Sequence, residues 1–439
     1  MTGQVKWLIY DDGAALTQER GLNTLLLESS RLPRNDSGLI DYALLAQDLL
    51  VLADREVPGR KFQWIGMVGG ERVLLLVIIR PGGVVGIHGA CLDSGFARSL
   101  AQALESLAPD RLDLQYWCGW DTSIPGATEY LFGEASLLLG MLPIGLEQKE
   151  LRLSMPAAEL PDPCLEYSCP RWNGDLFIGK TLVITWSHGF GDVLQFVRFI
   201  PMVKARGGRV LLLAQRELAG VVGTCPGVDQ VIPQGDPIPD CDLYIELLSL
   251  AFIFQTTLES IPASVPYLHV PERVYNRAPL SQALVPHVGR TRIGCAWQGN
   301  RRHYRDHERS IRPEVFASLG AIRDVDWFAF NFGMGTKVPF QPMTPLSPMI
   351  FNFSDTTFAL SQMDLVITVD TSLVHLAGAM GIPCWALLTH FPDWRWLLGR
   401  SDSPWYPTVR LFRQPRPGDW EAVIADVVQA FAAEFGGAS

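Results

Sequence analysis

Two aspartates, each just past an apolar strand and at the start of a helix, are the residues of this chain best placed for chemistry. The first closes Ser187-His188-Gly189-Phe190-Gly191-Asp192, after the apolar run 182–186. The second opens Asp370-Thr371-Ser372 after the apolar run 365–369, with His375 one turn further on. A strand that opens into glycines or N-cap residues gathers backbone N–H groups and a helix dipole at one point, a natural anion site. Asp192 has two readings: a helix cap that complements the dipole, or a general base that takes a proton from an incoming hydroxyl. Spacing alone favours the cap. His188 is a second candidate base.

Gly189 and Gly191 let a backbone approach a ligand closely. A Gly-x-Gly without a third glycine is an unspecific dinucleotide signal, and a ribose-binding acid at the usual distance is missing. A nicotinamide oxidoreductase is therefore a weak reading. The Asp370 motif says more. Thr371 and Ser372 offer hydroxyls beside the helix N–H groups, which suits a pyrophosphate, and His375 falls on the same side as Thr371 or Ser372. Gly381 and Pro383 end that helix. Without this context a lone helical histidine reads as a core residue.

Two further clusters follow strands. The stretch 297–310 carries Asn300, Arg301, Arg302, Arg305 and Arg309, as a solvated loop or as guanidinium forks for phosphate oxygens. Phe391-Pro392-Asp393-Trp394-Arg395-Trp396, with Trp405 and Tyr406, is aromatic enough for a core lid or for a platform under a base or sugar ring.

Positioning these loops requires strands that alternate with helices. Strands are expected at 181–186, 209–214 and 242–246, then at 292–297, 326–330, 365–369 and 384–388, with a closing helix at 420–435. Such alternation implies parallel sheets with ligands at the carboxyl ends of the strands. A helix is expected from Asp192 to Ala205, kinked or ended by Pro201; Gln195, Arg198 and Lys204 recur along it, leaving the rest apolar. Before residue 165, apolar runs at 62–68, 72–79 and 84–87 mix with helical stretches at 42–53 and 96–107, and no repeat period is present. Pro-rich joints at 155–170 and 278–286 divide the chain into residues 1–165, 166–285 and 286–439.

The 439 residues are 48% hydrophobic and 19% charged, a globular composition. A net charge of −10 argues against nucleic acid as the main partner, though not against a small anion. No run reaches the roughly 18 apolar residues of a membrane span, and the N-terminus lacks a signal-peptide pattern, so a cytoplasmic location is expected. The eight cysteines are scattered and read as free thiols, mostly buried, with no zinc pattern.

At these residues the chain resembles a family. The stretch 170–192, Cys225-Pro226-Gly227-Val228-Asp229, Trp297-Gln298-Gly299-Asn300, His303, Asp306, Arg309-Ser310-Ile311, Val369-Asp370-Thr371 with His375-Leu376-Ala377-Gly378, and Pro392 to Leu398 look like the family 9, heptosyltransferase-like glycosyltransferase module, often found in bacteria after tetratricopeptide repeats. The resemblance implies an α/β GT-B fold: two Rossmann-like domains facing across a cleft, the acceptor side first and the nucleotide-sugar side second. Residues 1–165 would be a mixed α/β or α+β accessory domain, for acceptor recognition or homo-oligomer assembly. It implies transfer of a sugar from a nucleotide-diphosphate donor to a protein or glycan acceptor, inverting, without metal or other cofactor. Asp192 matches the position of the base. Asp370, Thr371 and His375 match the donor diphosphate site, to which Ser372, Asn300, Arg301 and Arg309 are added. The chain departs where relatives have Glu-Gln, here Ser187-His188, and where they carry a lysine after the strand ending at Phe332; Lys337 is the substitute at hand. These departures support the alternative of a catalytically inactive glycosyltransferase-like binding or scaffold protein.

Overall fold

A computed structural model describes residues 169–435 except 187–188, 286, 288, 302, 304–305, 332–336, 391, 398 and 417, and before them short segments between 24 and 154. The chain forms two compact units, Met1–Leu137 with Glu147–Met155, and Leu138–Leu146 with Pro156–Ser439. In the first, strands β1 (Thr24–Leu27), β2 (Lys61–Val68), β3 (Glu71–Arg80), β4 (Val84–Gly89) and β5 (Leu112–Tyr116) form one sheet in that order. Its outer pairs are parallel and its inner pairs antiparallel.

The second unit holds two sheets, both wholly parallel among the described strands. The first half has β6 (Thr181–Thr185), β7 (Arg209–Ala214), β8 (Gln230–Pro233) and β9 (Leu243–Glu246), ordered β8-β7-β6-β9. The second half has β10 (Thr291–Ala296), β11 (Val325–Ala329), β12 (Thr344–Pro345), β13 (Leu365–Val369), β14 (Cys384–Leu388) and β15 (Val409–Arg413), ordered β12-β11-β10-β13-β14-β15. Counted within each half, the order runs third, second, first, fourth and onward. This is the order of doubly wound nucleotide-binding sheets, whose ligands sit where the winding reverses. The α/β expectation with two Rossmann-like halves is met. In each half the candidate motif follows a strand at that reversal: β6 leads to Asp192, β10 to the arginine loop and β13 to Asp370.

Burial explains the strand composition. β13 and β14 are buried at every residue, as strands covered on both faces must be. The closing helix Trp420–Phe435 lays Val423, Ile424, Val427 and Phe431 on this sheet among Trp385 and Phe412. Each such buried side chain contributes about 1.5–3 kcal/mol of transfer free energy.

Several expectations need correction. The first-half helix begins at Phe190, and it is three short pieces: α1 (Phe190–Phe196), a 3₁₀ turn Val197–Phe199, then Ile200–Lys204, in whose first turn Pro201 sits. Gln195 and Arg198 along it are buried as the apolar positions are. The joint expected at 278–286 is in large part a helix, Arg277–Ala283, because Pro279 falls in its first turn, where its missing N–H costs nothing. Cys169 and Cys241 are joined by a disulfide, against the expectation of free thiols; Cys225, Cys295 and Cys384 are free and buried. The bridge fastens the start of this segment beside β9, where Trp172 N–H also donates to the Tyr244 carbonyl (2.7 Å). Among the described residues, no helix is long and apolar enough to cross a membrane.

Candidate active site

The two strand–loop–helix motifs meet. The second continues into α3 (Ser372–Ala379), numbered after α2 (Phe353–Leu360). Thr371 is the N-cap of α3, and its hydroxyl accepts the Leu373 N–H (3.3 Å). Gly381, at φ 70°, and Pro383 end the helix as expected. α1 and α3 lie so close that a Cβ on Gly191 would sit 2.7 Å from His375 Cδ2 and 3.3 Å from Nε2. Glycine is therefore demanded there by the imidazole of the other half.

Asp192 lies in the first turn of α1. Its Oδ2 accepts the Gly189 N–H at 2.9 Å, so the capping reading holds as geometry. Its Oδ1 accepts from Arg395 Nη2, across 203 residues of sequence. Arg395 is held further by Gln195 Oε1 through Nε and by Asp393 Oδ1 through Nη1 (2.9 Å). Its guanidinium also lies over the Trp394 ring at 4.5 Å. Burial would raise the Asp393 carboxyl, but the Arg395 charge and hydrogen bonds bring it below the ordinary carboxylate range.

His375 is buried, with Nδ1 2.9 Å from Tyr406 Oη and its ring stacked on Trp396 (5.5 Å). Burial, and then the Arg395 charge, push the imidazole down to about 3. It is a neutral group at any ordinary pH. Tyr406 is covered in turn by Arg198, whose guanidinium lies 4.5 Å over its ring. Among the described residues, the buried Arg198 has no carboxylate partner. It donates to the carbonyls of Gln195 (2.9 Å) and Trp405 (2.5 Å) and to Tyr267 Oη (2.9 Å). Burial holds the Tyr406 hydroxyl far above its usual range.

On the donor side, Arg309 Nη1 donates to the Asp370 carbonyl (2.9 Å) and its Nε to Asp306 Oδ1 (3.2 Å). Gly299 passes against that pair, where a Cβ would come within 2.6 Å of Arg309 Nη2. Burial, then the Asp393 charge, raise the Asp370 carboxyl to about 6, with Arg309 opposing. Asn331, at the end of β11, accepts the Trp297 N–H and donates to the Gln298 carbonyl, fixing the root of the arginine loop.

The structure thus brings together Gly189, Gly191, Asp192, His375, Asp370, Thr371 and Arg309, with Ser372 half-buried at the first position of α3. Asn300 and Arg301 are exposed on the loop after β10, Lys337 is exposed, and His188 lies outside the described residues. Trp394, Trp396, Trp405 and Tyr406 are buried, so the aromatic segment is packing between the halves rather than an open ring platform. Arg395, Gln195, Arg198 and Tyr267 were not foreseen as site neighbours. For Arg395 the one sequence signal was its place in the Pro392–Leu398 match.

No protein-family model matches the chain. Protein FlbA of Caulobacter vibrioides is 26% identical over 347 residues, 70% of this chain but 56% of that protein, so the chain spans little more than half of this relative's length. A family 9 glycosyl transferase from Veillonella parvula shares 14% identity over 60% of this chain and 91% of its own, with a TM-score of 0.42. The E. coli ADP-heptose heptosyltransferase II shares 10%, over 57% of this chain and 99% of its own, at 0.40. The iron-containing dodecameric glycosyltransferase TibC shares 11%, over 58% and 78%, at 0.37. A putative UDP-N-acetylglucosamine 2-epimerase from Listeria monocytogenes is also similar, at 11% identity over 57% of this chain and 88% of its own, with a TM-score of 0.30.

Proposed function

We propose that the chain is a glycosyltransferase that uses a nucleotide-diphosphate sugar, with the donor on the β10–β13 side and the acceptor on the β6 side. The observation that carries this reading is the meeting of Asp192 with the Asp370–His375 helix, at the carboxyl ends of two Rossmann-ordered sheets. In an inverting step the acceptor oxygen bonds to the anomeric carbon as the bond from that carbon to the diphosphate oxygen breaks. Asp192 takes the acceptor's proton, and the departing diphosphate keeps the bonding pair. The start of α3 with Thr371 and Ser372, and the Arg309 guanidinium, would stabilise that charge without a metal. A neutral His375 would donate a hydrogen bond rather than a charge. The acceptor is a protein or glycan, and the first unit recognises it or assembles the protein.

A non-catalytic nucleotide-binding protein is the second reading. It is favoured by self-pairing: both Asp192 oxygens have internal partners, and Arg309 is engaged by Asp306 and the Asp370 carbonyl. Calorimetry against nucleoside diphosphates and nucleotide-sugars, followed by donor hydrolysis and transfer assays, separates the two. Binding with turnover that Asp192→Ala removes supports the transferase. Binding without turnover supports the second reading, and undiminished turnover in Asp192→Ala takes Asp192 out of the mechanism.

A further inference from the structure

Arg395 is the one described cation that reaches from the second half to the candidate base of the first. It is nearly buried, its side chain 10% exposed against 21% for Asp192. Three side chains converge on it: Asp192 on Nη2, Gln195 on Nε and Asp393 on Nη1, and Asp393 also caps its backbone N–H (3.0 Å). Gln195 shows how strongly the surroundings are arranged for this guanidinium. Its amide presents Oε1 to Arg395 and leaves its own buried Nε2 without a partner among the described residues. A flipped amide would set N–H against N–H, so an unsatisfied donor, costly in a core, is the better arrangement.

The consequence lies in which half supplies what. Asp192 sits on α1, while Asp393, Arg395 and the Trp394 ring under its guanidinium sit on the loop between β14 and β15; the Phe196 ring of α1 lies 5.8 Å away. We propose that Arg395 is a positioning residue for Asp192, holding its Oδ1 fixed only while the two halves are docked. This rests on the transferase reading. It ties the base to the donor half: an acceptor bound on the first half alone meets a carboxylate without its guanidinium.

Asp192, with its guanidinium partner, is surrounded from three elements. The Gly189 N–H and Gln195 come from its own element, neutral His375 from α3, and Arg395 backed by Asp393 from the β14–β15 loop; Asp370 and Arg198 lie beyond. Among the described residues, Arg395 is thus the cation in direct contact. Its removal should leave Oδ1 unheld, so that the loss falls on kcat rather than on KM.

The test compares Arg395→Gln and Arg395→Lys with the full-length wild type, using the donor that turns over in the panel above. Arg395→Gln should lower kcat about tenfold or more with KM little changed, while Arg395→Lys, which keeps the charge but lacks the fork, should recover only part of the rate. An unchanged kcat in Arg395→Gln, or a loss carried by KM alone, overturns the proposal. Should wild type turn over no donor, the transferase reading fails and the pairing is decided separately by the carbon-13 chemical shift of the Asp192 carboxyl at neutral pH. A moved resonance in Arg395→Gln upholds the pairing, and an unmoved one overturns it. Arg395→Lys serves the same measurement as the conservative variant, with its Asp192 resonance expected near that of wild type.

Discussion

Gly191→Ala isolates the contact between the two motifs, with Gly189→Ser as its control two residues away. At Gly191 the new methyl would lie 2.7 Å from His375 Cδ2, well inside contact distance. The imidazole has nowhere to go: Tyr406 holds Nδ1 at 2.9 Å, Trp396 stacks on its face, and both rings are fully buried. Relief must come from moving α1 away from α3. Overpacking of this kind costs about 1–3 kcal/mol, and alanine's better helix propensity returns at most about 1 kcal/mol. A net loss of about 1–2 kcal/mol should lower the melting temperature by roughly 2–8 °C for a unit of this size. At Gly189 the nearest atom to an added Cβ is Asp192 Oδ2 at 3.6 Å, an ordinary contact, and φ is −85°. Serine is also a preferred N-cap, so Gly189→Ser should be neutral or slightly stabilising. Thermal unfolding followed by tryptophan fluorescence reports on Trp394, Trp396 and Trp405 in the region concerned. Equal losses for the two variants, or none for Gly191→Ala, would refute the close packing of the motifs.

Linkage gives His375 and Asp370 opposite signs. With His375 held down to about 3 against an ordinary 6.5, the unfolded chain binds the extra proton between those values, and stability falls on acidification. With Asp370 raised to about 6 against 3.8, the folded chain binds the extra proton in that window, and stability falls as pH rises. The two cancel in wild type between about pH 4 and 6. His375→Gln should therefore lose about 1.4 kcal/mol per pH unit going up, and Asp370→Asn the same going down; matching slopes in denaturant titrations of the two variants would contradict both assignments. Arg198→Lys should cost about 3 kcal/mol, because one ammonium cannot serve the Gln195 carbonyl, the Trp405 carbonyl and Tyr267 Oη as the fork does. An unchanged urea midpoint would show that those contacts are not maintained in solution.

What local pattern could reach was legible. The buried strands β13 and β14 and the helix Trp420–Phe435 follow from unbroken apolar runs and helical periodicity. The Thr371 cap follows from its residue type. β8 escaped notice because it is four residues long and ends in Pro233. β15 escaped because its arginines interrupt the apolar run, Arg410 being exposed. The burial of Arg198 and Gln195 went unread because spacing along a helix says nothing about what lies opposite it. Their burial is set by Tyr267 and Trp405, residues far along the chain. The Cys169–Cys241 bridge spans 72 residues and leaves no local spacing signature.

Under the transferase reading proposed above, the two readings of Asp192 are compatible. Posed from the sequence, cap and base are rivals, since one carboxylate would need both oxygens for either task. On that proposal they divide the carboxylate between them. Oδ2 takes the Gly189 N–H and so fixes the side chain against the first turn of α1. That rotamer carries Oδ1 to the other half, where Arg395 meets it. A carboxylate oxygen has two lone-pair directions, so a guanidinium bond leaves Oδ1 one direction for an acceptor hydroxyl. The cap is then the reason the second oxygen is aimed at all. Asp192→Asn tests this division, because the amide keeps one oxygen for the Gly189 N–H but turns its N–H₂ toward Arg395. It should lose the interaction with Arg395 while retaining α1.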